Sequence, residues 1–251
     1  MQSAHQTFIG IDVQAIQKPF FFTALDADLE IIASGHGRLG DVLAYLAGQS
    51  SVLVSVNGPV CAPQPDIEFS QGGLFDSNQF SAAGSNRSGD AALAARGYPA
   101  ALVPAAGKKL PLWIERSLEL AGEMRRLGYA PSSETNLART YFETQTEAAY
   151  WQVTGIIPYD ARSLEGRLQY QLMMFEFGFA LRDPMTFLEE FTRFRLRTSQ
   201  LPLTQILPAH ELRSLMAAAT AWLMDTHPEK VEHFGMMGEG EIILPREFTR
   251  K

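Results

Sequence analysis

Apolar residues run continuously only in short stretches near the start of the chain, and farther on they recur three or four positions apart. Phe8, Ile9, Gly10 and Ile11 form an apolar run closed by Asp12. A strand buried on both faces is near-continuously apolar, so a charge fits only where the chain leaves the sheet. Phe20 to Leu25 predicts a second strand, Asp26-Ala27-Asp28 a tight turn and Glu30 to Ser34 a third. Short polar connections between successive strands favour an antiparallel meander. Val42, Leu43, Leu46 and Ala47 have helical spacing, with Gly48 as the stop. Ser51 to Val56 then predicts a fourth strand ending in Asn57-Gly58-Pro59. A helical crossover suits a parallel pairing. If the partner is the first strand, Asp12 and Asn57 leave neighbouring strands at one edge.

Between Cys61 and Pro111 the pattern is lost. Gly, Ala, Ser, Pro and Asn dominate, as in Gln71-Gly72-Gly73 and Ala83-Gly84-Ser85-Asn86. Arg87 and Asp90 in this stretch read as surface charges ahead of a short helix, Ala91 to Arg96. Trp113, Leu120, Met124 and Leu127 mark an amphipathic helix stopped by Gly128. Arg139 to Thr144 predicts a fifth strand carrying a second carboxylate, Glu143, and Glu147 to Trp151 a short helix. Leu164, Leu168, Leu172, Phe175 and Phe179 give a helical core stripe. Asp183-Pro184 has the form of a helix start, with Phe187, Leu188, Phe191 and Phe194 inward. Arg193, Arg195 and Arg197 read as a solvated basic face. Pro208 to Thr226 predicts the last long helix, with Leu212, Leu215, Met216, Ala219 and Leu223 inward, and Ala217 to Ala219 allowing close approach to a sheet.

Composition narrows the classes. The 251 residues are 46% hydrophobic and 20% charged, as expected for a globular protein. No apolar run nears the roughly 18 residues of a membrane span. Met1 to Thr7 is polar and shows no secretory leader, and Cys61 is alone, which excludes an internal disulfide or a cysteine zinc cluster. A reducing cytoplasm is the expected location. The net charge of −7 and pI near 5.3 give no global basic footprint of the kind nucleic-acid binders carry.

The element order predicts an α/β domain with a mixed five-stranded sheet, three antiparallel strands and then parallel ones, flanked by helices. A single domain over 1–251 would carry the Gly/Ala/Ser-rich stretch at about 61–111 as a loop insertion. Several segments, in order, carry a resemblance: GIDV at Gly10 to Val13, VNGP at Val56 to Pro59 and YFETQTEAAY at Tyr141 to Tyr150. EGRLQYQLM at Glu165 to Met173, ELRSLMAAATAWL from Glu211 and GEGEIILP ending at Pro245 complete it. Together they resemble the domain-of-unknown-function 429 family, described as predicted RNase H-like nucleases. The resemblance implies an RNase H-like fold and hydrolysis of nucleic acid or a small phosphodiester with Mg²⁺ or Mn²⁺. Two-metal hydrolysis needs carboxylates that hold two ions roughly 3.5–4 Å apart.

Carried over by position, the resemblance makes Asp12 and Glu143 metal ligands and catalytic residues, with Asn57 assisting through its carbonyl oxygen. The chain departs from the family pattern twice. Asn57 stands where the pattern resembles D-x-P, and Arg213 where it resembles D-A-L. A fixed positive charge repels a second metal, and Arg213 could instead pair with Asp12 or Glu143. His210, one helical turn before Arg213, is the remaining candidate ligand. Two functions follow as expectations: a metal-dependent nuclease or phosphoesterase, or a non-catalytic RNase H-like binding or assembly protein. An actin-like ATPase lacks its glycine-rich phosphate loop here, and a serine hydrolase lacks a G-x-S-x-G elbow.

Overall fold

The computed structural model describes residues 5–14, 17–62, 87–105, 107–133, 138–236, 238 and 240–248. The glycine-rich segments Gln71–Gly73 and Ala83–Asn86 lie outside them. The first strand, β1 (Thr7–Asp12), pairs antiparallel with β2 (Phe20–Leu25), and β2 pairs antiparallel with β3 (Ile31–Gly37). Helix α1 (Leu39–Ala47) crosses to β4 (Val52–Asn57), which lies parallel to β1 with Asp12 opposite Asn57. Helices α2 (Ser88–Ala95) and α3 (Leu112–Arg126) precede a two-residue strand, β5 (Ala130–Pro131), and β6 (Arg139–Thr144). β6 is parallel to β4, with Glu143 opposite Val56 and Thr144 opposite Asn57.

Four helices follow: α4 (Thr146–Thr154), α5 (Leu164–Glu176), α6 (Met185–Glu189) and α7 (Arg193–Arg197). The long helix α8 (Ala209–Thr226) leads to the hairpin of β7 (Val231–Phe234) and β8 (Ile242–Pro245). Among the described residues the sheet has eight strands in the order β3-β2-β1-β4-β6-β8-β7, with β5 on the side of β6. This is a mixed sheet flanked by helices, and its three antiparallel strands followed by parallel ones match the predicted order. The predicted count of five is too low. The strands it omits, β5, β7 and β8, have two to four residues, too few to establish an alternating pattern.

The pleat divides the core. Ile9, Ile11, Val54, Val56 and Tyr141 pack with α1 and α3 on one face; Phe8, Leu53 and Phe142 pack with α4, α5 and α8 on the other. Helix α8 lies against β1 because Gly10 and the alanine run leave no side chains between the backbones. A Cβ on Gly10 would sit 2.0 Å from the Ser214 carbonyl oxygen and 2.3 Å from the Ala218 nitrogen. Leu212, Leu215, Met216, Ala219 and Leu223 are buried, as the spacing predicts.

Two predicted helix faces are corrected. In α5 the buried residues are Gly166, Tyr170, Gln171, Met173 and Met174, whereas Leu164, Leu168, Leu172 and Phe175 are only partly covered. Tyr170 stacks on Tyr150 with centroids 3.9 Å apart, and Gly166 approaches the Asp160 backbone, which rotates the helix away from its leucine stripe. After Asp183-Pro184 the chain forms two five-residue helices. Phe187 is buried, but Leu188, Phe191 and Phe194 are exposed, because the break at Glu190 to Thr192 ends the helical period.

Candidate functional site

β1, β4 and the end of β6 bring Asp12, Asn57 and Thr144 side by side at the carboxyl edge of the sheet. Residues paired in register on parallel strands project to the same face, and successive residues to opposite faces. Asp12 and Asn57 therefore face α8. Glu143, one residue before Thr144, shares the parity of Val56 and Tyr141 and projects toward the α3 side. The sequence brings both carboxylates to the right end of the sheet, and the pleat then separates them.

Asp12 is 1% exposed. Its Oδ1 accepts a hydrogen bond from Asn57 Nδ2 at 2.7 Å, while Oδ2 is buried and has no hydrogen-bond partner among the described residues. The Asn57 Oδ1 accepts the Thr146 amide at 3.1 Å, tying β4 to the first turn of α4. Burial raises the Asp12 carboxyl to about 7 against the opposing pull of Arg213 and Asn57. Glu147, also in the first turn of α4, forms an ion pair with Arg213 at 2.7 Å. The cluster at this edge is thus Asp12, Asn57, Glu147 and Arg213. Arg213 pairs with Glu147, rather than with Asp12 or Glu143, and acts on Asp12 through its charge.

Glu143 belongs to a second cluster. Its Oε1 accepts from Arg87 Nη2 at 2.6 Å and its Oε2 from the Val60 amide at 3.1 Å. Arg87 Nε lies 3.6 Å from Asp90 Oδ2, which also accepts the Val103 amide at 3.0 Å. Burial pushes Glu143 up to about 7 against Arg87, while Glu143 and Asp90 together hold Arg87 in its charged form. Arg87 and Asp90 are 1% and 0% exposed, so reading them as surface charges is corrected. Polar, glycine-rich surroundings gave no apolar period to mark them as interior. They are buried because Arg87 compensates both carboxylates, Asp90 and Glu143.

His210, at the start of α8, packs its ring on Phe21 with centroids 4.8 Å apart. Burial and the nearby His36 lower its pKa. No group of three His, Cys, Asp or Glu among the described residues is placed to hold a metal ion, so Asp12, Glu143 and His210 do not form one ligand set. The donors that do meet at the edge fit Mg²⁺ or Mn²⁺ poorly. Asn57 has its oxygen turned to an amide, and Glu147 has a guanidinium on it. The buried Asp12 Oδ2 is left without a hydrogen-bond partner among the described residues.

Glu147 is the residue that sequence reasoning left without a role. The available signal was its position four residues after Glu143, in the first helical turn beyond a strand end, where a carboxylate faces the sheet edge. Fold and site together define a mixed α/β protein with a buried polar cluster at the carboxyl edge of its central strands. Comparison with family models, with curated proteins and with solved structures gives no match to this chain.

Proposed function

We propose that the chain is an RNase H-like protein, similar to the domain-of-unknown-function 429 family, that acts by binding rather than by hydrolysis. The observation that carries this reading is the Arg213–Glu147 pair beside Asp12. A hydrolytic centre of this class keeps its carboxylates for cations. Here a guanidinium occupies Glu147, the other carboxylate at the Asp12 edge, and it cannot be deprotonated to make room. The second expected carboxylate, Glu143, faces the other side of the sheet and is held by Arg87. The edge is therefore a closed, charge-compensated network suited to holding β1, β4, α4 and α8 in fixed register. The test is a calorimetric titration with Mn²⁺ and Mg²⁺, run beside hydrolysis assays on single-stranded DNA, RNA and a chromogenic phosphodiester. No metal heat and no hydrolysis is the expected result; hydrolysis abolished by Asp12→Ala would overturn the reading.

A metal-dependent nuclease or phosphoesterase is the second reading. It is favoured by Asp12 Oδ2, a buried carboxylate oxygen with no hydrogen-bond partner among the described residues, close enough to Glu147 for their charges to interact. On this reading a substrate phosphate draws Arg213 off Glu147 and leaves two carboxylates for an ion. It predicts that metal binds only when substrate is present.

A further inference from the structure

Beside the Asp12 edge, the segment Gln17 to Phe20 leading into β2, the start of α1 and one face of α3 enclose an open cleft of about 450 Å³. Three cationic side chains line it, Lys18, Arg38 and Arg116, with one acid, Glu119. In a chain of net charge −7 this is a local reversal of sign. The three come from separate segments, so the fold gathers them. Arg116 is anchored: its guanidinium lies 3.7 Å from the centroid of the Phe20 ring and donates to the Gln14 and Lys18 carbonyl oxygens. Those bonds tie the backbone of Gln14 and Lys18 to α3. Lys18 and Arg38 are exposed, and neither side chain forms an ion pair among the described residues. Asp41 accepts the Arg38 backbone amide at 2.8 Å and offsets some of the charge at the start of α1, but its carboxylate is not on the Arg38 side chain.

Two exposed cations without an ion pair among the described residues, and a third held in place over a cleft of this size, suit a multiply charged, oxygen-rich anion. We propose that the cleft binds the phosphate groups of a nucleotide or of a single nucleic-acid strand. Lys18 and Arg38 make the direct contacts, and Arg116 is the positioning residue that holds the Lys18 backbone. The inference rests on the binding reading above and names its ligand class. Lys18 is near enough to act on the charge of Asp12, so a phosphate in the cleft lies beside the polar edge.

The experiment is calorimetry on the full chain with two probes, inorganic pyrophosphate and a twelve-nucleotide single-stranded DNA, at low and raised salt. The double variants Lys18→Ala/Arg38→Ala and Lys18→Gln/Arg38→Gln are run alongside, each checked for an unchanged thermal transition. Expected is salt-sensitive binding that weakens by about tenfold or more in both variants, in line with lost phosphate contacts. Binding of pyrophosphate points to a nucleotide as the source, and binding of the strand alone to nucleic acid. No binding of either probe, or binding indifferent to both variants, overturns the proposal. The strand is also assayed for cleavage with Mn²⁺ in the same samples. Cleavage would sink the non-hydrolytic reading while the cleft still stands or falls on affinity alone.

Discussion

Asn57 donates from Nδ2 to Asp12 Oδ1 at 2.7 Å and accepts the Thr146 amide on Oδ1 at 3.1 Å. One side chain thus reads out both a strand end and a helix start, and its amide orientation is fixed by having a donor on one side and an acceptor on the other. An aspartate at 57 would repel Asp12 where asparagine supports it. The pair, together with the charge of Arg213, offsets part of the cost of burying a carboxylate only 1% exposed at the edge of β1.

The Asp12 carboxyl, raised to about 7 mainly by burial, sets a pH dependence. Between the unfolded value near 4 and about 7, the folded state keeps a proton that the unfolded chain has released. Stability from this group is therefore full below about pH 4 and falls as pH rises toward 7. Asp12→Asn should remove that share of the slope and stabilise the protein above pH 7 by about 1–3 kcal/mol. Urea unfolding of both proteins at pH 5, 7 and 8.5 checks it; parallel curves would show that Asp12 does not titrate in this window.

Arg87 compensates two buried carboxylates, Glu143 and Asp90. Arg87→Met should destabilise by about 3–5 kcal/mol, because uncompensated buried charge remains. Adding Glu143→Gln should recover part of the loss. A denaturant series on the two single variants and the double variant measures the coupling, and additive effects would remove the ion pair from the account.

Gly10 is required for the contact between β1 and α8. Gly10→Ala places a methyl 2.0 Å from a backbone oxygen, and neither element can give way without shifting the sheet. The expected cost is about 3 kcal/mol or more, at the upper end of overpacking effects. Thermal unfolding within a degree or two of the wild type would mean that α8 sits farther from the strand.

Arg213→Asp exchanges the closing cation for a carboxylate beside Asp12 and Glu147. If Arg213 is what excludes cations, Mn²⁺ heat absent in the wild type should appear in this variant. A silent titration would move the cause from Arg213 to the separation of Asp12 from Glu143.

What the sequence determined by itself was set by local periodicity. β1, β2, β4, β6 and α8, and the arrival of Asp12 and Asn57 at one edge, were legible because each run is long enough to declare its period. In α5 and after Asp183 the buried face departs from the spacing, since a leucine stripe and an aromatic spacing say nothing of which neighbour is closer. The sites needed the tertiary structure. Asp12 and Glu143 both sit at strand ends in the chain, but only the register Asp12–Asn57–Thr144 puts Glu143 on the opposite face, through a pleat that inverts at every residue. Arg87 and Asp90 look like surface charges until Glu143 is beside them. Glu147 looks like one more helix carboxylate until α8 delivers Arg213. Charge compensation acts through space, and the partners here lie tens of residues apart along the chain.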